Sequence, residues 1–152
     1  MLPAAGEGDG VPTVDDARAL ATRAHAGQVD RAGVDYVRHP EAVAAALAAE
    51  GPAAEMAGWL HDVVEDTDVT LDDLRAAGYP PEVVSAVDAV TRRPGEDYLD
   101  LVRRAAADPI GRLVKLADNR HNSDESRLAA LPPDQADRLR AKYAAAREIL
   151  LA

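Results

Sequence analysis

The stretch Ala57-Gly58-Trp59-Leu60-His61-Asp62-Val63-Val64-Glu65-Asp66-Thr67 places an apolar run directly before a set of ionisable side chains. On a regular helix neighbouring residues point about 100° apart, so His61 and Asp62 can grip one small object only if the helix ends there. The composition of Glu65-Asp66-Thr67-Asp68 predicts such an end. A vicinal imidazole and carboxylate suit Mn, Fe, Co, Ni or Zn better than calcium, which prefers oxygen ligands alone. Two ligands do not complete a site, so other segments must supply the rest.

Bulk composition limits what those segments are. The chain has 152 residues, enough for one domain with one substantial core. Hydrophobic residues make up 47% of it, yet aromatics only 3% and phenylalanine is absent, so the core is built from Ala, Val and Leu, a helix-forming alphabet. The absence of cysteine removes disulfides and thiolate metal sites, leaving His, Asp and Glu as candidate ligands. The chain shows no basic start and no long apolar segment, which predicts a cytoplasmic soluble protein without signal peptide or membrane span. A formal charge of −10 argues against general affinity for nucleic acid, and it requires any anionic substrate to be met by a local basic cluster.

Read in order, the sequence predicts an all-α fold of about eight helices, with residues 1–12 as a flexible N-terminal tail and 13–152 as one domain. Thr13 and Asp16 have capping-box spacing and start a first helix that Gly27 ends. Residues 28–38 read as an ordered loop. His39-Pro40 opens the second helix, which puts His39 at its N-terminal lip. Pro52 starts the third, running to Val63. Thr70 and Asp73 repeat the capping-box spacing, Pro80-Pro81 opens a valine-rich helix, and Tyr98 lies at the start of another. Asp108-Pro109 caps a helix ending near Asn122, and Pro132-Pro133 leads to a last helix, Asp134 to Leu150. On that helix Leu139, Tyr143, Ala146 and Leu150 read either as core or as the face of a homo-oligomer.

Among the four histidines, His25 alone reads as a packed residue, whereas His39 sits at a helix lip and His61 is paired with Asp62. A further carboxylate ligand should come from another helix, and Asp118 is the best candidate. It follows the mostly apolar Leu113-Val114-Lys115-Leu116-Ala117, near a face where an unpaired carboxylate is costly. A metal would satisfy it, and so would a salt bridge to Arg120 or Lys115. Arg31, Arg38, Lys115 and Arg120 are the cations available for a phosphate-binding pocket.

The order His39, His61-Asp62, Asp118 resembles the H…HD…D pattern of the HD-domain metal-dependent phosphohydrolases. More closely, His25-Ala26-Gly27-Gln28, Gly33-Val34-Asp35-Tyr36-Val37-Arg38-His39-Pro40, Leu60 to Thr67 and Lys115 to Asn122 resemble the hydrolase domain of RelA/SpoT homologues, including the small alarmone hydrolases. The resemblance implies a single HD-type helical bundle that binds Mn²⁺, or another divalent transition metal, through His39, His61, Asp62 and Asp118. It implies hydrolysis of the 3′-pyrophosphate of (p)ppGpp, a small nucleotide, with Glu65 and Asp66 handling the attacking water and its protons. Asn122 matches a substrate-contacting position, and Arg31 and Tyr36 match positions lining the nucleotide pocket, with Lys115 as a further phosphate contact. The chain departs from the family at Asp30, where one of two adjacent basic residues is usual, and at Ser123-Asp124-Glu125, where another basic contact is missing. A nucleotide-binding regulatory module that keeps the metal is therefore the competing function.

Overall fold

The computed structural model describes residues 10–152, and ten α-helical segments follow one another from Val14 to Leu150. They are α1 (Val14–Ala24), α2 (Arg38–Leu47), α3 (Pro52–Leu60), α4 (Val63–Asp66), α5 (Leu71–Ala76), α6 (Pro81–Val90), α7 (Tyr98–Ala106), α8 (Pro109–Asn122), α9 (Glu125–Leu128) and α10 (Pro133–Leu150). A 3₁₀ turn at Ala48–Glu50 extends α2, and the only strand-like pairing among the described residues is a bridge between Val29 and Asp35. Residues 1–9 of the expected tail lie outside the described residues. Pro12 is buried, and its Cδ lies beside Gly78, so the ordered chain begins before Thr13. No helix among the described residues is long and apolar enough to cross a membrane.

Eight of the helices have six residues or more, and these are the eight that the sequence pattern predicts. The two four-residue helices, α4 and α9, are the additions. Sequence periodicity carries the third helix to Val63, but the regular turn ends at Leu60, and Asp62 adopts φ −108°, ψ −2° before α4 begins. That break lets two adjacent side chains face one point. Local chemistry explains the other ends. The Thr13 hydroxyl accepts from the Asp16 N–H at 3.2 Å while the Asp16 carboxylate accepts from the Thr13 N–H at 2.8 Å, and Thr70 with Asp73 repeats this reciprocal pair. Asp108 accepts from the Ile110 and Gly111 N–H groups, with Pro109 at the first helical position.

Helix α3 is the hub. Ala54, Met56, Ala57, Gly58, Trp59 and Leu60 are all buried, and a helix that is apolar on nearly every side must be surrounded. It packs against α1, α2, α6 and α8. The main core also draws Leu20 from α1, Val43 and Leu47 from α2, Val83 and Val87 from α6, and Val114 from α8. A second apolar cluster joins Val102 of α7 to Ala146 and Leu150 of α10. The stripe on the last helix is thus occupied within the chain, with Ala146 and Leu150 in the core and Leu139 and Tyr143 lining a cavity. Arg104 secures the α6–α7 turn, bonding to Glu96, the Thr91 carbonyl and the Asp88 carbonyl.

The α2–α3 crossing fixes how close two histidines come. At Gly58 a Cβ would lie 2.9 Å from the Ala44 Cα and 3.1 Å from the Ala44 N, both backbone atoms that cannot swing aside. Gly58→Ala should therefore push the helices apart, lowering stability by about 1–3 kcal/mol, as overpacking does. In thermal unfolding this is a drop in Tm of about 3–10 °C, accompanied by weaker divalent-metal binding. An unchanged Tm would show that the crossing is not tight.

Candidate metal centre

Two helices and the break after α3 converge on one buried spot. His39 comes from the first turn of α2, His61 and Asp62 from the α3–α4 break, and Asp118 from the middle of α8. His39, His61 and Asp62 each offer a ligand atom within 4.8 Å of the others. Asp118 joins them, its Oδ1 lying 2.7 Å from His39 Nε2 and 3.5 Å from His61 Nε2. Asp62 Oδ2 lies 3.1 Å from His61 Nε2 and 3.8 Å from His39 Nε2, and the two Nε2 atoms are 3.3 Å apart.

Each imidazole is held by its other nitrogen. His61 Nδ1 donates to the Gly58 carbonyl at 2.7 Å. His39 Nδ1 lies 2.6 Å from His121 Nδ1. Burial, and then the charge on His39, hold His121 down at about 4, so its ring is neutral near pH 7 beside His39. Both Nε2 atoms therefore point at the carboxylates. Burial works against the charged form of Asp62, yet the His61 imidazole beside it brings the carboxyl to about 2. Asp118 is likewise drawn well below the usual carboxylate range, with Lys115 outweighing burial, and His61 is driven well above its ordinary value by Asp62 and Asp118 in spite of burial. Ionised carboxylates and two imidazoles oriented through their far nitrogens form a donor set that fits a divalent transition cation.

The remaining candidates fall into distinct places. The Tyr36 hydroxyl donates to Asp62 Oδ2 at 2.6 Å, and the Asn122 amide donates to Asp118 Oδ1 at 3.0 Å. Both residues also line a cavity of about 310 Å³ whose wall includes Arg31. Lys115 is absent from that wall. Its ammonium donates to Asp118 Oδ2 at 3.2 Å, so it takes the salt-bridge role that the sequence left open. Arg38 pairs instead with Glu41, and Arg120 is exposed outside the cavity. Although Asp66 reaches solvent, partial desolvation and then the Asp62 charge raise its carboxyl to about 6. Glu65 turns toward the α6–α7 turn, where its Oε1 accepts from the Arg92 N–H at 2.8 Å.

The two acidic departures have structural work. Asp30 Oδ1 accepts from the Ala32 and Val34 N–H groups, closing the loop, and its Oδ2 lies 3.5 Å from Arg127 Nη1. Asp124 is the N-cap of α9, accepting from the Ser126 N–H at 2.8 Å. Other residues at the site escaped sequence reasoning. His121 stands three residues after Asp118 and so on the same helix face, a spacing that could have flagged it. Lys142 lies 4.2 Å above the Tyr98 ring, and its pKa is lowered by burial and then by Lys115, Arg31 and Arg92. Four cations thus share one region of an acidic protein.

The model of the HD domain family matches residues 17–152. The chain is 39% identical over 120 residues to a GTP pyrophosphokinase of Streptomyces coelicolor, covering 72% of this chain and 14% of that protein. It is 33% identical over 143 residues to the bifunctional (p)ppGpp synthase/hydrolase SpoT of Escherichia coli, covering 86% of this chain and 20% of SpoT. The chain therefore spans between about a seventh and a fifth of these relatives' length. Among solved structures, a metazoan orthologue of SpoT described as hydrolysing ppGpp superposes with a TM-score of 0.77 at 25% identity, over 90% of this chain and 84% of that one. With the family model running through residues 17–152 and His39, His61, Asp62 and Asp118 brought to one point, the chain belongs to the HD-domain family.

Proposed function

We propose that this chain is a divalent-metal-dependent pyrophosphohydrolase, with Mn²⁺ as the favoured ion, that removes the 3′-pyrophosphate of guanosine 3′,5′-bis(diphosphate) in the cytoplasm. The observation that carries the reading is the pairing of cluster and cavity. Tyr36 and Asn122 each bond to a carboxylate of the cluster and line the adjoining cavity, so a ligand there lies against the proposed metal ligands. Relatives named guanosine-3′,5′-bis(diphosphate) 3′-pyrophosphohydrolase from Escherichia coli and Synechocystis give the substrate class.

His39, His61, Asp62 and Asp118 would hold the ion. When bound, a divalent cation supplies positive charge against phosphate oxygens and makes nearby water more acidic. The side chains do the rest. Arg31 on the cavity wall, with Lys142 and Arg92 within electrostatic reach of one another, provides the positive field that a polyphosphate requires, and Asn122 lines the cavity with its amide bonded to Asp118. Asp66, with a pKa of about 6, is matched to accepting a proton from water near neutral pH. Glu65 anchors the short helix α4 to the Arg92 backbone and keeps Asp66 facing Tyr36 and Asp62. Water attacks the pyrophosphate phosphorus, the bond to the ribose 3′-oxygen breaks, and that oxygen takes a proton, giving GDP and pyrophosphate.

Purified protein should hold about one transition-metal ion per chain, and His61→Ala or Asp62→Ala should abolish it by elemental analysis. Metal content equal to wild type in both variants would refute the ligand assignment. Asp66→Asn should keep the metal and lower kcat for ppGpp at least a hundredfold, within the usual scale of proton-transfer catalysis. Glu65→Gln should retain metal and also lose hydrolysis, and unchanged turnover would remove Glu65 from the reaction.

Stability adds a pH test on chelator-treated protein. The folded-state pKa of Asp66 is raised from about 3.9 to about 6, so its contribution is fully present below about pH 4 and is lost as pH rises through about 6. Asp66→Asn removes that loss. Its Tm should equal wild type near pH 4 and exceed it by pH 8.

A further inference from the structure

The geometry points to Arg127, braced by Asp30, as the residue that stacks on the nucleobase in the cavity beside the metal cluster. The inference rests on the cavity's being the substrate site and assigns a residue that the family pattern does not supply. The cavity has two chemically different parts. Tyr36 and Asn122 tie one part to Asp62 and Asp118. Leu128, Leu131 and Leu139 give another part an apolar lining suited to a planar, weakly hydrated group. Its volume of about 310 Å³ is at the small end for ligand pockets, which suits one base.

Arg127 lines the same cavity and its side chain is 30% exposed. Its ion pair with Asp30 brings Nη1 to 3.5 Å from the Asp30 Oδ2. Asp30 is itself held by the loop, its Oδ1 accepting from both the Ala32 and Val34 N–H groups. A carboxylate on the loop keeps the guanidinium beside the cavity wall, where its planar face is available to a ligand. Such a face binds a base by stacking and cation–π attraction, which every base offers, so it confers affinity with little discrimination between purines. Asp30, a net negative charge beside an anionic substrate, is tolerated because Arg127 neutralises it.

The test uses the metal-loaded chain with GDP, ADP and inorganic pyrophosphate as titrants and ppGpp as substrate. Arg127→Ala should weaken GDP and ADP by a similar factor of about tenfold, leave pyrophosphate binding and metal content unchanged, and raise KM for ppGpp with kcat held within twofold. Arg127→Lys should not restore binding, because an ammonium lacks the planar face. Asp30→Asn, which keeps the loop acceptor but drops the charge, should weaken GDP less than Arg127→Ala does. Unchanged GDP affinity in Arg127→Ala, rescue by lysine, or an equal loss for pyrophosphate would overturn the assignment, as would loss of metal and Tm in the arginine variants. If wild type fails to hydrolyse ppGpp, the catalytic reading falls, while the GDP titrations still decide the role of Arg127.

Discussion

Two carboxylates buried among apolar helices set the terms for this molecule. Asp118 sits on α8 beside the buried Val114 and Ala117, where an unbalanced negative charge is strongly disfavoured. Asp62 lies at its side and adds a second charge. The chain answers with His39, His61 and Lys115, drawn from α2, the α3–α4 break and α8. Removing any one leaves a charge without its counterpart. The helices must therefore meet closely enough for these groups to touch, and the glycine at the α2–α3 crossing permits that approach. The same Gly58 presents its carbonyl to His61, so one residue serves both the packing and the aim of an imidazole.

Acidic overall, the protein nonetheless sets Arg31, Arg92, Lys115 and Lys142 within electrostatic reach of one another, and burial, followed by the repulsion of the other three, lowers the pKa of Lys142. The loop 28–37 and helices α9 and α10 contribute no metal ligand, yet they supply most of the cavity wall. The proposed metal ligands thus rest on the well-packed helices α2 and α8 and the break after α3, and the cavity wall on segments that can vary without disturbing the charged cluster.

Much of this was legible in the sequence for physical reasons. Helix starts were readable because caps are local, as the Thr13 and Thr70 boxes and Asp108-Pro109 show. The convergence of His61 and Asp62 was readable because the acidic, polar run after them marks a helix end, where adjacent side chains can face one point. The break at His61–Asp62 and the four-residue helix α9 were blurred, since periodicity does not resolve single turns. Lys115 read as a substrate contact, whereas its reach along one helix turn delivers it to Asp118. The Asp30–Arg127 pair spans 97 positions and leaves no local trace, and a separation of 82 positions likewise hid the His39–His121 contact.

The central claim is that His39, His61, Asp62 and Asp118 form one mononuclear centre, and anomalous diffraction from crystals grown with Mn²⁺ tests it most directly. The account predicts a single strong peak per chain, contacted by Nε2 of both histidines and by the two carboxylates, with Nδ1 of His61 still bonded to the Gly58 carbonyl. A principal peak elsewhere, or one that Asp118 does not touch, would contradict it.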